Sequence, residues 1–304
     1  MLHPKTLISI VGPTAIGKTA LAIQLAQHFG TEIISADSRQ FFKEMAIGTA
    51  KPDAEELATI KHHFIDSHSV SQLFSTGDFE IEGLNTLDQI FKNHNLAIMV
   101  GGSGLYVNAL INGLDEMPDI ELAIRERLNK QFEEEGLSSI QKQLATLDPE
   151  YFAKVDQQNP QRMIRGLEVF LSTGQKLSSM LSATKKERPF NIIKIGLNTD
   201  RAMLYDRINR RVDEMIADGL IDEVKSLIPF KKNNALNTVG YSELFDYLDE
   251  KLSIEDAVSA IKQNTRRFAK RQLTWFRRDD ELTWFEPNQS QEIISFVENK
   301  IANK

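Results

Sequence analysis

The 304-residue chain contains no cysteine. Disulfide bonds and thiolate metal sites are therefore excluded, and any metal ion must be held by oxygen or histidine ligands. No apolar run approaches the roughly 20 residues that a membrane helix needs. The first residues also lack the order of charged, apolar and small side chains that marks an export signal. These absences predict a globular, cytoplasmic protein that does not contact a membrane.

Positive charge is scarce overall, since 36 basic residues stand against 43 acidic ones and the formal net charge is -7. This balance argues against a protein that binds nucleic acid over its whole surface. Residues 257–278 are an exception, because they contain no acidic side chain. Seven cations fall in this stretch: Lys262, Arg266, Arg267, Lys270, Arg271, Arg277 and Arg278. The stretch is a candidate surface for a polyanion.

Three aromatic residues, Phe268, Trp275 and Phe276, lie among these cations at helical spacing. Aromatic side chains buried beneath a solvated basic face would explain the pattern, and so would direct contact with nucleic acid. The sequence does not separate the two explanations.

Apolar runs alternate with helical patterns in the first part of the chain, as in a parallel sheet with helices on both faces. We predict strands at residues 6–11, 32–35, 96–100, 191–197 and 282–285, and helices at 18–29, 78–93 and 105–112. From residue 121 to 173 only helical patterns occur. We therefore divide the chain into residues 1–114 as the first part of a core, 115–189 as an all-helical insertion, and 190–304 as the remainder with a basic helix.

The stretch "GPTAIGKT" follows an apolar strand, precedes a helix and matches the phosphate-binding pattern G-x-x-x-x-G-K-[ST] in full. Backbone N–H groups and a helix N-terminus should face phosphate oxygens, with Lys18 neutralising charge and Thr19 contacting Mg²⁺. The pattern predicts a P-loop NTPase-like α/β fold. The phosphate-binding residues are then Gly12, Pro13, Thr14, Ala15, Ile16, Gly17, Lys18 and Thr19.

Nucleotide-splitting proteins of this class also carry an acid at the end of a strand, where it holds the metal. Here the strand "LAIMV" runs into "GGSG" instead. A different carboxylate, Asp37, follows the second strand at the carboxyl edge, where open sheets bind ligands. Asp37 could accept a proton, or it could be an ordinary turn residue.

Further polar residues have two possible roles each. Ser103 in "GGSGLY" could cap the next helix, and its flanking glycines could let a substrate approach the backbone. Arg39 and Gln40 could donate to a base edge or a phosphate, or be solvated. Arg162 and Arg165 share a face of a helix that Asn159 caps and Pro160 begins; they too could bind an anion or be solvated.

Arg211 interrupts the apolar stripe of a predicted helix, so its guanidinium needs an anion. Either Glu214 or a ligand phosphate could supply it. The stripe consists of Leu204, Ile208, Val212 and Met215. By contrast His62, His63 and His68 lack a tight i, i+4 pair, and we expect no metal site there.

Taken together, the motifs resemble the tRNA dimethylallyltransferases, also called isopentenyl-diphosphate:tRNA transferases. They occur in the family's order over roughly residues 5–285 as "GPTAIGKT", "ADSRQ" with "IGTAKP", "HHFID", "GGSGLY", "NPQRMIRGLEV", "LYDRINRRVDEM", "VGYSEL" and "TRRFAKRQLTWFR". The resemblance implies transfer of a five-carbon group from dimethylallyl diphosphate to N6 of the adenosine just 3′ of the anticodon. The loop would then hold a leaving group. The implied partners are dimethylallyl diphosphate, Mg²⁺ and the tRNA anticodon stem-loop, and we expect a monomer.

The resemblance also assigns roles. Asp37 would be the general base, Ser103, in place of the usual threonine, would keep a hydroxyl near the reacting centre, and Arg211 would stabilise the departing diphosphate. Thr19 would contact the metal. The residues implied to contact tRNA are Asp37, Ser38, Arg39, Gln40, Arg125, Gln161, Arg162, Met163, Ile164 and Arg165.

Two further positions depart from the family pattern. Ile16 replaces a common serine, where the backbone should matter most, and Arg39 stands where methionine is frequent. The cysteine and histidine finger of many eukaryotic members is absent, so the chain resembles the shorter bacterial form. Three alternatives remain: a kinase, a nucleotide-gated RNA-binding module, and a transferase acting on free adenine nucleotides.

Overall fold

The structure is a computed structural model that describes residues 5–182 and 184–303. Six strands form one sheet in which every pair of neighbours is parallel. They are β1 (Thr6–Val11), β2 (Ile33–Ser35), β3 (His62–His63), β4 (Leu96–Gly101), β5 (Asn191–Leu197) and β6 (Thr283–Phe285). Their order across the sheet is β3-β2-β4-β1-β5-β6. Strand β1 lies between β4 and β5. The phosphate loop follows β1 and therefore emerges from the centre of the sheet.

Strand β1 is buried on both faces, as expected for a central strand of a parallel sheet. Its side chains alternate between two apolar layers. Leu7 and Val11 pack on one face, and Ile8 and Ile10 pack on the other. Helices therefore cover both faces of the sheet, and this confirms the α/β prediction.

The core unit consists of residues up to Gly113 together with those from Glu187 onward. Its helices are α1 (Lys18–Phe29), α2 (Ala54–Thr59), α3 (Thr76–Asn93), α4 (Gly104–Asn112), α10 (Arg201–Ala217), α11 (Leu220–Ser226), α12 (Tyr241–Leu248), α13 (Ile254–Phe276) and α14 (Ser290–Ala302). Short 3₁₀ turns lie at Ile228–Phe230 and Asn234–Leu236. No helix in the described part of the chain is both long and apolar enough to cross a membrane.

The predicted β1, β5 and α1 have the observed bounds. Other predicted elements differ by one or two residues at an end. Helix α3 begins two residues earlier than predicted, because Ser75 and Asp78 form a reciprocal capping box. Strand β3 was missed, since two residues carry no periodic pattern.

A third apolar cluster packs α10, α11, α12 and the first half of α13 together within the core unit. Its centre is Tyr241, whose ring is fully buried. A Cβ on Gly48 would lie 2.5 Å from this ring, so only glycine fits there. The carboxylate of Glu223 accepts hydrogen bonds from the N–H groups of Ala46, Ile47 and Gly48 at 2.7 to 3.1 Å. The cluster therefore fixes the loop that contains "IGTAKP".

The helical unit spans Leu114–Lys186 and has an apolar core of its own. Its helices are α5 (Leu122–Glu135), α6 (Leu137–Leu147), α7 (Pro149–Lys154), α8 (Pro160–Thr173) and α9 (Leu177–Met180). Asn159 caps α8 by accepting from the N–H of Arg162 at 3.1 Å, and Pro160 is the first helical residue, as predicted. The all-helical insertion is confirmed, whereas its role in tRNA contact stays a prediction.

Candidate active site

The phosphate loop owes its shape to residues in left-handed backbone conformations. Gly12 has φ of 152°, and a Cβ there would lie 2.7 Å from the carbonyl oxygen of Leu197. Ala15 has φ of 61° and Gly17 has φ of 104°. Among the described residues, no side chain caps the N-terminus of α1. This leaves the first N–H groups of the helix to an anion in the loop.

A first cavity of about 500 Å³ opens beside this loop. Cationic side chains from two elements surround it. They are Lys18 at the start of α1 and Arg207, Arg210 and Arg211 of α10, and Lys51 from the loop before α2 also lines the cavity. Thr19, Asp37 and Glu214 also line the wall. The charge pattern suits a ligand with several negative charges, such as a diphosphate.

The backbone of the loop holds the Lys18 side chain, because Lys18 Nζ donates to the carbonyl of Pro13 at 2.8 Å. Burial lowers the pKa of Lys18 to about 8; the Asp37 carboxylate opposes the shift, and Arg211 adds to it. The ammonium is therefore charged at neutral pH but close to losing its proton. An anion bound beside it would restore its affinity for the proton.

A second cavity of about 340 Å³ has mainly apolar walls. The apolar residues that line it are Ile208, Val212, Met215, Val239, Ile261 and Phe268. Its polar lining includes Ser38, Arg39 and Ser103. Four residues line both cavities: Thr14, Asp37, Thr49 and Arg211. A charged ligand in the first cavity and a flat, less polar ligand in the second would therefore meet at Asp37.

Asp37 is a turn residue, and its role as a proton acceptor stays a prediction. Its Oδ1 accepts from the N–H of Arg39 at 2.9 Å, which is the hydrogen bond of an Asx turn. The same carboxylate faces both cavities. The turn holds the carboxylate at the carboxyl edge of the sheet, where a base would be needed.

Ser103 does not cap α4, so that alternative is wrong. Its hydroxyl oxygen accepts from the N–H of Ser38 at 3.0 Å, and the hydroxyl donates to Ser38 Oγ at 3.2 Å. The two serines join the segments that follow β2 and β4, and both line the second cavity. Ser103 therefore lies in the same cavity as Asp37.

The neighbouring glycines were expected to admit a substrate, but protein atoms occupy the space beside them. A Cβ on Gly101 would overlap the carbonyl oxygen of Ala36, and one on Gly104 would overlap the Trp275 ring. The glycines are therefore required by the packing of the protein itself.

Arg211 remains without a carboxylate partner, since no oxygen of a described acidic residue lies within 4.0 Å of its nitrogens. Its Nη2 donates at 3.4 Å to the carbonyl of Ala50. Burial lowers the pKa of Arg211, and the charges of Asp37 and Glu214 oppose the shift. Of the two proposed anions, the geometry favours a ligand over Glu214.

The loop after Asp37 is only partly available to a ligand. The amide of Gln40 donates to the carbonyls of Thr49 and Ala50 at 3.3 and 3.1 Å and accepts from Ser35 Oγ at 3.0 Å. Gln40 therefore ties the loops of the site together. Arg39 donates to the Asn237 carbonyl at 3.4 Å and lines the second cavity. Burial lowers the pKa of Arg39, so an anion or polar edge nearby would be favourable.

In the helical unit, some of the residues predicted to contact tRNA are buried and others lie at the surface. The side chains of Met163 and Ile164 lie in the core of the unit, so that of the residues on α8 predicted to contact tRNA only Gln161, Arg162 and Arg165 reach the surface. The Glu168 carboxylate is fully buried and binds the Arg125 guanidinium through both its Nε and Nη2. Arg165 Nη1 lies 3.5 Å from the same carboxylate.

Helix α13 has a basic face that also exposes two aromatic rings. Phe268 is 37% exposed and Trp275 is 40% exposed, whereas Phe276 is buried. Lys262 is paired with Asp213 at 2.5 Å, while Arg267 and Lys270 project into solvent. One of the three rings is therefore buried and two are partly exposed, and contact of this helix with nucleic acid stays a prediction.

Sequence patterns did not reveal all the residues of the site. Arg207 and Arg210 were missed. Arg207 lies three residues before Arg210 and four before Arg211, which places it one turn of α10 away from both. Gln272 was also missed, because its partner Thr14 is 258 positions away in the chain.

The residues present fit a magnesium ion that arrives with a phosphate ligand. The described residues include no cluster of three or more histidine and acidic side chains able to hold a metal alone. His63 instead pairs with Glu32 at 2.6 Å. Thr19 and Asp37 place one hydroxyl and one carboxylate in the first cavity. Mg²⁺ in phosphate sites uses few protein ligands and takes the rest from phosphate and water.

Comparison with known proteins gives a consistent result. The profile of the IPP transferase family matches residues 40–279. The chain is 56% identical over 296 residues to a tRNA dimethylallyltransferase of Christiangramia forsetii, covering 97% of this chain and 98% of that protein. It is similar to the crystal structure of a tRNA isopentenylpyrophosphate transferase from Bacillus halodurans, with a TM-score of 0.74, 38% identity, and 98% and 97% of the two chains covered.

A eukaryotic dimethylallyltransferase acting on tRNA is similar over 99% of this chain and 80% of its own, with a TM-score of 0.83 and 27% identity. The likeness therefore extends over nearly the whole of this chain.

Proposed function

Since the chain belongs to the tRNA dimethylallyltransferase family, we propose that it transfers a dimethylallyl group from dimethylallyl diphosphate to a tRNA adenosine. The acceptor atom is N6 of the adenosine immediately 3′ of the anticodon, and diphosphate is released. The observation that supports this reaction is the pair of cavities that meet at Asp37, Thr14, Thr49 and Arg211. One suits a diphosphate and the other a base.

In the proposed reaction, the N6 nitrogen attacks C1 of the dimethylallyl group while the bond from C1 to the diphosphate oxygen breaks. The bonding electrons leave with the diphosphate, and Asp37 takes the N6 proton. Lys18, Arg211 and the N-terminus of α1 stabilise the charge that develops on the leaving group. Ser103 holds Ser38 and the segment after β2 beside the general base, Asp37.

We propose that Mg²⁺ accompanies the diphosphate, with the Thr19 hydroxyl as its protein ligand. The ion would offset the negative charge of the departing diphosphate. Lys18 and the three arginines of α10 bind the remaining phosphate oxygens.

The acceptor base reaches the second cavity by leaving the single-stranded anticodon loop, as expected for enzymes that modify a base. Phe268 supplies an aromatic wall against which a base can stack. We propose that Arg39, Gln161, Arg162 and the exposed α13 cations Arg267 and Lys270 hold the RNA. A monomeric, cytoplasmic protein is also part of this proposal.

A kinase is less well supported, because the site lacks a metal-holding acid at the end of β4. Gly101 occupies that position and packs against Ala36. Alkyl transfer to an amine needs a base and a cradle for the leaving group, and it needs no acid that orients water.

The test is incubation of the protein with dimethylallyl diphosphate, Mg²⁺ and unmodified tRNA, followed by nucleoside mass analysis. We expect a five-carbon gain on one adenosine. A parallel reaction with AMP as acceptor should give no product. Phosphorylation from ATP without alkylation would overturn the proposal, and efficient alkylation of AMP would replace tRNA with a free nucleotide as substrate.

A further inference from the structure

Gln272 is a buried amide in the basic helix α13, and only 6% of its surface is exposed. Its Oε1 accepts from the N–H of Thr14 in the phosphate loop at 2.8 Å. Its Nε2 donates to the carbonyl of Gly102, which precedes Ser103, at 2.9 Å. One side chain therefore joins the phosphate loop, the turn after β4 and the helix whose opposite face is cationic.

The geometry leaves little freedom for this amide. It needs an acceptor at one end and a donor at the other, and among the side chains of this length only glutamine provides both. Gly102 has no room for a side chain, because a Cβ there would overlap Nε2 of Gln272. The orientation of the amide is thus fixed by both partners.

The two segments that Gln272 joins have different parts in the proposed reaction: the phosphate loop binds the alkyl donor, and the turn at Gly102 lies beside the cavity for the acceptor base. Thr14 lines both cavities, and Ser103, next to Gly102, lines the second cavity and bonds Ser38. Gln272 itself lines neither cavity. Any effect it has on the reaction must therefore pass through Thr14 and the turn at Gly102.

We propose that Gln272 is a positioning residue, which fixes the phosphate loop relative to the Gly102–Ser103 turn. This keeps the dimethylallyl diphosphate in line with the N6 nitrogen that attacks it. This inference rests on the proposed alkyl transfer. Misplacement of reacting groups by about 1 Å can cost on the order of 10²-fold in rate. The amide is the only described side chain that hydrogen-bonds both segments.

The test compares Gln272→Glu and Gln272→Met with the wild type in single-turnover transfer, with enzyme in excess over tRNA. Glutamate keeps the acceptor for Thr14 and loses the donor to Gly102, whereas methionine loses both. We expect the rate constant to fall about 10- to 100-fold in each variant. Affinity for the anticodon stem-loop should change less than about twofold. Thr274→Val is the matched control, because its exposed hydroxyl bonds only the Lys270 carbonyl of its own helix.

Single-turnover rate constants at saturating enzyme do not depend on the fraction of active protein, so partial unfolding alone would leave them unchanged. A double-mutant cycle adds a second readout. Gly102→Ala should slow transfer in the wild-type background, where it displaces the amide, and should add little in a Gln272→Ala background. Unchanged rate constants, or fully additive effects, would overturn the positioning role. No transfer by the wild type would instead overturn the proposed function, and this role with it.

Discussion

At the scale of single residues, the site depends on how one carboxylate is presented. Asp37 is held by the N–H of Arg39 and faces Lys18 and Arg211 across the junction of the two cavities. The Asx turn orients the carboxylate without neutralising it, so one oxygen remains for a proton from the acceptor.

We predict that Asp37→Asn lowers the rate of transfer by about 10² to 10⁴ while anticodon stem-loop binding stays within about twofold of wild type. An asparagine keeps the turn but accepts a proton poorly. The measurement is single-turnover transfer together with RNA binding. Asp222→Asn is the control, because that carboxylate is 84% exposed and pairs only with Lys225. Full activity of Asp37→Asn would exclude Asp37 as the base.

Lys18 gives the site a pH dependence whose sign follows from its pKa of about 8. In the free protein the ammonium loses its proton as pH rises through 8, and a bound diphosphate restores it. Affinity for dimethylallyl diphosphate should therefore fall above pH 8, and binding should take up protons. The ligand does not mask this effect, since a phosphate ester is already ionised there, with a pKa of about 6.

At pH 8.5 we expect uptake of roughly 0.75 proton for each ligand bound. Calorimetry in buffers of different ionisation enthalpy measures this number directly. Uptake near zero at pH 8.5, together with constant affinity up to pH 9.5, would contradict the lowered pKa of Lys18.

At the scale of elements, the sequence predicted best where the backbone itself carries the signal. Strand β1 and helix α1 were predicted to the residue, because the phosphate-loop pattern and Gly30, with φ of 60°, mark the two ends of α1. The hydrogen bonds between Ser103 and Ser38 were not predictable, since the two residues are 65 positions apart. Hydrogen bonds of this kind depend on the tertiary fold, and a local pattern cannot contain them.

Helix α13 provides a prediction about RNA binding. Arg267 and Lys270 are exposed, so we expect the double variant Arg267→Gln with Lys270→Gln to bind tRNA less tightly. The slope of log affinity against log salt should flatten by roughly 1.4, at about 0.7 for each lost contact with a single strand. Fluorescence anisotropy between low and moderate salt measures the slope.

Lys262→Gln is the control on the same helix, because its ammonium is already paired with Asp213. Its slope should stay within about 0.3 of the wild type. Equal slopes for the double variant and the wild type would exclude this face of α13 from the RNA interface.

At the scale of the whole molecule, negative net charge and RNA binding coexist because the charges are segregated. The chain carries a net charge of -7, yet residues 257–278 contain only cations among their ionised side chains. In the helical unit, two guanidinium groups, those of Arg125 and Arg165, share the one buried carboxylate of Glu168, so positive charge exceeds negative charge at this place as well. Totals alone therefore conceal where a polyanion can bind.

The helical unit has its own core, so we expect its stability to change without loss of donor binding. Leu144→Ala removes a fully buried side chain and should destabilise this unit by about 2 to 5 kcal/mol. Hydrogen exchange should report faster opening in residues 114–186, and tRNA binding should weaken. Affinity for dimethylallyl diphosphate should not change, because the residues proposed to bind it belong to the core unit.

Leu122→Ala is the matched control, because Leu122 is 66% exposed and its loss should cost less than about 0.5 kcal/mol. Equal acceleration of exchange throughout the core unit would show that the two units open as one.

The end of β4 has a consequence for how this fold can diversify. Because the Ala36 carbonyl lies where any side chain at position 101 would begin, Gly101→Asp cannot simply install the acid of a hydrolase. The neighbouring strand would have to retreat first. The backbone beside the end of β4 therefore keeps a substitution at position 101 alone from supplying the metal-holding carboxylate that ATP hydrolysis uses in this fold.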